Sequence, residues 1–171
     1  VSLIDAAETP GELGNLCVTM DGRGVIYFGN DGGGILSFDG SSWNLIPASG
    51  TGRVTALATD TRGIVFAGSD KDLGLLQPDE SGRIIYCSLS ERISNSSAVA
   101  EIMTISSIAV DSNGVSFTDG KRLYRLAMGA DSVSVIDLQN EYGLGSANKL
   151  VVTGNRLFIA DDREGLFEYM D

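Results

Sequence analysis

The sequence of 171 residues contains no histidine, and this absence excludes several kinds of catalytic site at once. A Ser-His-Asp triad, a Cys-His dyad and a zinc site built on imidazole all need that side chain. Cysteine is scarce as well: Cys17 and Cys87 each lie in a short apolar run, which is typical of a small buried hydrophobic residue. A disulfide between them would require that their two strands are neighbours, and the spacing alone does not show this.

Basic residues and long apolar runs are also few. The chain has 12 Lys and Arg against 23 Asp and Glu, for a net charge of −11. Such a charge disfavours binding to the phosphates of nucleic acids and to anionic membranes. No apolar run reaches the roughly 18 residues that a membrane-spanning helix needs, and the first residues lack the basic and apolar regions of a signal peptide. We therefore expect no nucleic-acid partner and no membrane insertion of this segment.

Glycine, by contrast, is abundant, with 22 residues against 3 prolines. Short apolar runs separated by glycine-containing turns are typical of an all-β protein. The pattern is clearest from Val54 to Leu89, where four apolar runs are separated by turns at 61–63, 69–73 and 78–82. This stretch predicts four short strands that pair in sequence order as an antiparallel meander.

The same unit recurs four times along the chain. The residues that open the second strand of each unit align at Gly24, Gly63, Gly114 and Asn155. These positions are about 40 residues apart, except where an insertion rich in Ser, Asn and Ala, Ser90–Thr104, lengthens one interval. Four strands in about 40 residues is the spacing of β-propeller blades, so we predict an all-β propeller domain.

We interpret residues 1–171 as one propeller-type domain with blades at about 16–46, 54–89, 105–138 and 148–171. The fourth unit lacks a fourth strand, and Val1–Asp5 (VSLID) closely matches Val133–Asp137 (VSVID), the fourth strand of the third unit. We therefore predict that the N-terminal strand completes the last blade, although short β-strands also resemble one another by composition alone. Four blades could close by themselves, form part of a larger ring, or pair in a homodimer with eight blades.

The repeat resembles a known family. Val54–Asp60 (VTALATD), followed by Gly63–Gly68 (GIVFAG), is similar to the two-component regulator propeller repeats, and the pattern recurs at Val18–Gly29, Ile105–Thr118 and Leu157–Tyr169. The aromatic residues at one position of the repeat, which we expect between the blades, are Tyr27, Phe66, Phe117 and Phe158. The resemblance implies a sensor domain of bacterial histidine kinases and related signalling proteins. It also implies a periplasmic or extracellular location and the non-catalytic binding of a small molecule or a protein.

Candidate site residues lie in the turns between the second and third strands, because each of these turns carries an acid. Blades arranged radially would place these acids on one face, as a site for a cationic or hydroxyl-rich ligand or for a partner protein. The alternative is that tight turns select Asp for local reasons. No calcium-binding loop and no distinctive pair of acids is evident, so we expect no metal and no cofactor. The candidate residues are Asp31, Asp70, Asp72, Asp119, Asp161 and Asp162.

Two other classes of function stay open from the sequence. One is an enzyme on a propeller scaffold, of the lactonase or polysaccharide-degrading type, which would show a metal at the channel mouth or paired acids in a deep pocket. The other is a scaffold for protein–protein contact alone. The insertion Ser90–Thr104 is the candidate for specificity, because long loops in compact domains are usually functional or flexible.

Overall fold

A computed structural model describes residues 14–32, 34–48, 52–93 and 102–170. Within these residues, antiparallel strands form three four-stranded sheets and one three-stranded sheet, each paired in sequence order. This confirms the predicted all-β propeller architecture. The predicted strand at Val1–Asp5 lies outside the described residues.

The strand bounds follow the repeat closely. Blade 1 contains β1 (Asn15–Met20), β2 (Ile26–Asn30), β3 (Gly34–Phe38) and β4 (Trp43–Ile46). Blade 2 contains β5 (Val54–Thr59), β6 (Val65–Ser69), β7 (Leu73–Pro78) and β8 (Ile84–Ser88). Blade 3 contains β9 (Ser107–Asp111), β10 (Gly114–Thr118), β11 (Arg122–Ala127) and β12 (Val133–Asp137). Blade 4 contains β13 (Lys149–Thr153), β14 (Arg156–Asp161) and β15 (Gly165–Tyr169).

In each of blades 1 to 3, the turn of the first hairpin is held by hydrogen bonds to a buried aspartate carboxylate. In blade 1 the carboxylate of Asp21 accepts hydrogen bonds from the backbone N–H groups of Arg23 and Val25 and from the Arg23 side chain. Burial of Asp21 opposes its ionisation, but these donors outweigh that effect and hold its pKa below the ordinary value. Asp60 in blade 2 and Asp111 in blade 3 accept the equivalent backbone bonds, so the repeated Asp fixes the hairpin geometry.

The blades follow one another as an arc whose first strands lie side by side. Strand β5 lies between β1 and β9, and β9 also contacts β13. The hydroxyl groups of Thr19 and Thr59 join blades 1 and 2 at 2.8 Å. Buried apolar side chains fill the space between each pair of neighbouring blades, which is where a propeller keeps its core.

The aromatic residues of the repeat do not all face the same way. Tyr27 pairs with Thr19, Phe66 with Ala58 and Phe158 with Val151, which gives these three aromatics equivalent positions. In blade 3 the hairpin after Asp111 is one residue shorter, which moves Phe117 to the opposite face of its sheet. Phe66 and Phe117 therefore meet edge-on across the gap between blades 2 and 3, with ring centroids 6.2 Å apart.

The ends of the insertion Ser90–Thr104 belong to the core between blades 2 and 3. A 3-10 turn covers Ser90–Arg92, Ile93 pairs with Val133, and the side chains of Ile93 and Ile102 are buried. Residues 94–101 lie outside the described residues, so the prediction that this insertion confers specificity stays a prediction. After blade 3, a short helix that the repeat did not predict, α1 (Leu138–Tyr142), begins with Asp137 as its N-cap.

Both cysteines are free thiols, on β1 and β8 of different blades. Burial raises the pKa of the Cys17 thiol to about 11, as expected for a small apolar residue in the core. Among the described residues, no helix is long and apolar enough to span a membrane.

Candidate binding face

Three blade junctions bring the acidic turns next to the segments that enter the following blade. Asp31, after β2, pairs with Arg53, just before β5; Asp70, after β6, pairs with Thr104, before β9. Gly120, after β10, pairs in the same way with Ala147, before β13. The turns between second and third strands and the blade connections therefore share one end of the blades.

Arg53 connects the first two junctions. Its Nε lies 2.9 Å from Oδ1 of Asp31, and its Nη1 lies 3.8 Å from Oδ2 of Asp70. The hydroxyl of Thr104 donates to Oδ1 of Asp70 at 2.7 Å, which carries the polar contacts on to blade 3. Asp31 and Arg53 each expose about half of their side chain, so the groups are held in place while remaining open to solvent.

At the third junction the exposed acid belongs to blade 4. The Nδ2 of Asn148 donates to Oδ2 of Asp162 at 2.8 Å, and the Asp162 side chain lies at the surface. We call the set formed at the three junctions the junction face. Its residues are Asp31, Arg53, Asp70, Thr104, Asn148 and Asp162.

The other three candidate acids are buried and hold local structure. Asp72 accepts hydrogen bonds from the N–H of Leu73 and from the hydroxyl groups of Ser88 and Ser90, which fastens the outer strand of blade 2. All three donors reach Oδ1, so the protein itself satisfies that oxygen. A role for Asp72 in binding a ligand stays a prediction, and the structure adds a structural role.

Asp119 and Asp161, like Asp72, accept hydrogen bonds from nearby groups and so hold their own turns. Asp119 accepts from the hydroxyl of Tyr124 at 2.8 Å and from two backbone N–H groups of its own turn. Burial, together with the neighbouring Asp119 charge, raises the pKa of Tyr124. The N–H of Arg163, with those of Ser146 and Glu164, holds the pKa of Asp161 below its ordinary value. Both acids are buried in turns between second and third strands, so they hold these turns rather than lie on the surface.

Sequence reasoning missed a groove at the opposite end of the blades. The hairpin turns of blades 1 and 2 place Arg23 and Arg62 on its wall, and its volume is about 560 Å³. Each guanidinium is paired with its own buried aspartate, at 2.8 Å in blade 1 and 2.7 Å in blade 2. The repeated Asp-x-Arg-Gly turns at Asp21 and Asp60 carried the signal for this pair.

The junction face offers hydrogen-bond donors and acceptors suited to binding. Across the described ranges, no three Asp, Glu or Cys side chains gather as metal ligands. Exposed carboxylates beside one guanidinium and a threonine hydroxyl can accept and donate hydrogen bonds with little rearrangement. Ammonium groups and sugar hydroxyls are the ligand chemistries that this arrangement complements.

The chain matches no protein-family model, and no curated protein matches it in sequence. Its fold, however, is shared with solved structures. A chain described as the extracellular domain of the hybrid two-component system BT3049 from B. thetaiotaomicron superposes with a TM-score of 0.69 at 10% identity, covering 99% of this chain and 26% of that one. The computationally designed Ika4 protein has a TM-score of 0.65 at 14% identity, covering 97% and 98% of the two chains.

A third structure belongs to an enzyme. A catalytically inactive virginiamycin B lyase from Staphylococcus aureus, with one histidine replaced by alanine and with Quinupristin, has a TM-score of 0.61 at 12% identity, covering 92% of this chain and 55% of that one. This chain thus spans about half of the lyase and about a quarter of the BT3049 domain. Identities this low show a shared propeller fold, the fold that the two-component repeat resemblance implied.

Proposed function

We propose that this chain is a binding propeller of an extracytoplasmic signalling receptor and that the junction face is its binding surface. The observation that carries the proposal is the line of contacts from Asp31 through Arg53 and Asp70 to Thr104, which crosses three blades at one end of the arc. Binding surfaces on repeat proteins are typically assembled this way, from loops of successive units on one face.

Two further observations support a sensor over an enzyme. The fold is shared with extracellular domains of two-component systems, whose location outside the cytoplasm we extend to this chain as part of the proposal. The lyase with the same fold is inactive when one histidine is replaced, and this chain contains no histidine to play that part. A propeller enzyme with other catalytic residues remains the alternative, because the lyases share the fold.

Net charge and local geometry define the expected ligand class. The chain carries a net charge of −11, and each junction offers a carboxylate with hydrogen-bonding neighbours. A cationic peptide or a neutral oligosaccharide fits this face better than an anion, which the acids would repel. A receptor for such a ligand would bind it without changing it.

The test is an NMR titration with tetralysine and with cellotetraose as probes. We expect one of the two to shift the backbone amide signals of Asp31, Arg53 and Asp70. We expect the variant Asp31→Asn/Asp70→Asn to weaken that binding at least about tenfold, because the charged acceptors are removed from a shared contact.

The matched control changes the charge by the same amount elsewhere. Asp79→Asn/Glu80→Gln lies in the outer turn of blade 2, at the opposite end of the strands, and should leave the affinity unchanged. If the Asp31→Asn/Asp70→Asn variant bound the probe as tightly as the unchanged chain, the junction face would not be the binding site. Signal shifts confined to the groove of Arg23 and Arg62 would do the same.

A further inference from the structure

The groove between the first hairpin turns of blades 1 and 2 has the size of a small-molecule site. Its volume is about 560 Å³. The two turns lie close together, since a Cβ on Gly63 would lie 3.7 Å from the backbone N of Gly22. Both walls belong to complete four-stranded sheets, β1 to β4 and β5 to β8. The groove therefore lies between two neighbouring blades and not at either end of the arc.

Arg23 on one wall is held by Asp21 and keeps hydrogen-bond donors to spare. Oδ1 of Asp21 accepts the N–H groups of Arg23 and Val25. Oδ2 accepts Nε and Nη2 of Arg23 and the hydroxyl of Tyr27. The Nη1 amino group of Arg23 has no partner within the part of the chain that the structure describes. Because the Asp21 carboxylate is already satisfied, this amino group is available to another acceptor.

Arg62 on the other wall repeats this arrangement. Oδ1 of Asp60 accepts the N–H groups of Arg62 and Ile64, and Oδ2 accepts Nε of Arg62 and lies 2.7 Å from its Nη2. Its Nη1 also lacks a partner among the described residues. In both pairs the cation faces solvent, because the Arg side chains are 68% and 54% exposed and the Asp side chains only 2% and 3%. The groove thus presents two guanidinium groups that are fixed before any ligand arrives.

The first hairpin of blade 3 shows that this turn does not need an exposed arginine. There Asn113 takes the place of Arg23 and Arg62 in the repeat. Its aspartate, Asp111, is paired from within the sheet by the buried Arg125. Holding the turn therefore explains the repeated aspartate but not two exposed guanidinium groups on one groove. Their position is explained by an anionic ligand.

The other walls of the groove define the rest of that ligand. Ile64 and Ile84 are half-buried and Pro78 is exposed, so apolar surface lies beside the arginines. A carboxylate suits paired guanidinium groups, because their planar N–H forks match its two oxygens. An apolar body attached to the carboxylate would cover the apolar walls, which inorganic phosphate or sulfate would leave in water.

We propose that this groove binds an organic carboxylate with an apolar body. The carboxylate oxygens accept hydrogen bonds from Nη1 of Arg23 and of Arg62, and the body lies against Ile64 and Ile84. This goes beyond the proposed function, because it assigns a second ligand site at the opposite end of the blades from the junction face. The net charge of −11 opposes the approach of an anion, but at physiological ionic strength exposed charges act over only about 8 Å.

The test is an NMR titration of the chain with 4-phenylbutyrate, and with 4-phenylbutanol as the matched uncharged probe. We expect 4-phenylbutyrate to shift the backbone amide signals of the two turns, with a Kd of about 1 mM or lower. The alcohol should bind at least about tenfold more weakly, because it cannot form charge-assisted hydrogen bonds with the guanidinium groups. The signals to follow are those of Gly22, Arg23, Arg62 and Gly63.

Two variants test the role of the arginines. Arg62→Gln removes one guanidinium and should weaken the binding of 4-phenylbutyrate at least about tenfold. Thr61→Glu adds an acid at an exposed position of the groove and should weaken it as well. Because Thr61→Glu leaves both ion pairs in place, it tests the site even if Arg62→Gln fails to fold. The control is Arg156→Gln on blade 4, which removes an exposed guanidinium paired with Glu168 and should leave the affinity unchanged.

Several results would overturn the proposal. One is the absence of a saturable shift up to about 10 mM 4-phenylbutyrate. Others are equal affinity for the alcohol, or an affinity that neither groove variant lowers. Shifts confined to the junction face would also overturn it. None of these results bears on the junction face as a site for a cationic or hydroxyl-rich ligand, because that site is tested with different probes and different variants.

Discussion

Replacing Arg125 by methionine is expected to lower the free energy of unfolding by about 3–5 kcal/mol, the usual cost of removing one partner of a buried ion pair. Arg125 on β11 and Asp111 at the end of β9 expose only 6% and 4% of their side chains. The guanidinium Nη1 lies 3.1 Å from Oδ2 of Asp111 and donates to the Ser116 hydroxyl at 2.7 Å. It also lies 5.5 Å from the ring centroid of Tyr169, which joins blade 3 to blade 4.

The loss arises from what remains after the substitution. Asp111 still accepts the backbone N–H groups of Asn113 and Gly114, but its charge then has no cation beside it in a buried site. Urea denaturation followed by tryptophan fluorescence measures the effect. The control is Arg83→Met, because the Arg83–Asp79 pair is exposed and should contribute under about 1 kcal/mol. Equal losses in the two variants would contradict a structural role for the buried pair.

Gly68→Ala is expected to destabilise the protein by about 1–3 kcal/mol or more through overpacking. A Cβ at this position on β6 would lie 2.3 Å from Cγ2 and 2.6 Å from Cβ of Ile105, which is fully buried between blades 2 and 3. Neither side can retreat without opening the core, so the substitution forces the blades apart locally. Thermal denaturation should show a clear fall in Tm.

Two comparisons make the steric cause specific. Gly22→Ala, in a turn where a Cβ meets nothing within 4 Å, should leave stability nearly unchanged. The double variant Gly68→Ala/Ile105→Ala should lose less stability than the sum of its single variants, because removing the isoleucine makes room for the new methyl group. Strict additivity would show that the clash with Ile105 is not the cause.

The repeat predicted most strand positions because alternating apolar runs and glycine turns are local signals. The four runs predicted between Val54 and Leu89 appear as β5 to β8, and the predicted turns at 61–63, 69–73 and 78–82 fall between these strands to within a residue or so. Phe117 packs between blades as predicted, but a hairpin shorter by one residue places it on the opposite face of its sheet from Tyr27 and Phe66, which the repeat did not indicate. Helix α1 was missed because five residues are too few to show helical periodicity.

The site was harder to predict than the fold. The sequence placed acids in the turns, yet whether an acid is exposed like Asp31 or buried like Asp119 depends on neighbours from the next blade. The sequence did not indicate the buried ion pair of Arg125, because its partner Asp111 lies on another strand of the sheet. Burial on the first strands was equally hard to predict: Val18 and Leu57 look alike in sequence, yet Val18 is exposed and Leu57 packs against the core between blades 1 and 2.

The central claim is that the contacts from Asp31 through Arg53 and Asp70 to Thr104 form one binding surface across three blades. The most direct measurement is the NMR titration with tetralysine and cellotetraose, repeated on Asp31→Asn/Asp70→Asn. The account predicts that one probe shifts the amide signals of Asp31, Arg53 and Asp70 together, and that the double variant weakens this binding at least about tenfold. Unchanged affinity in the double variant, or signal shifts confined to the groove of Arg23 and Arg62, would contradict it.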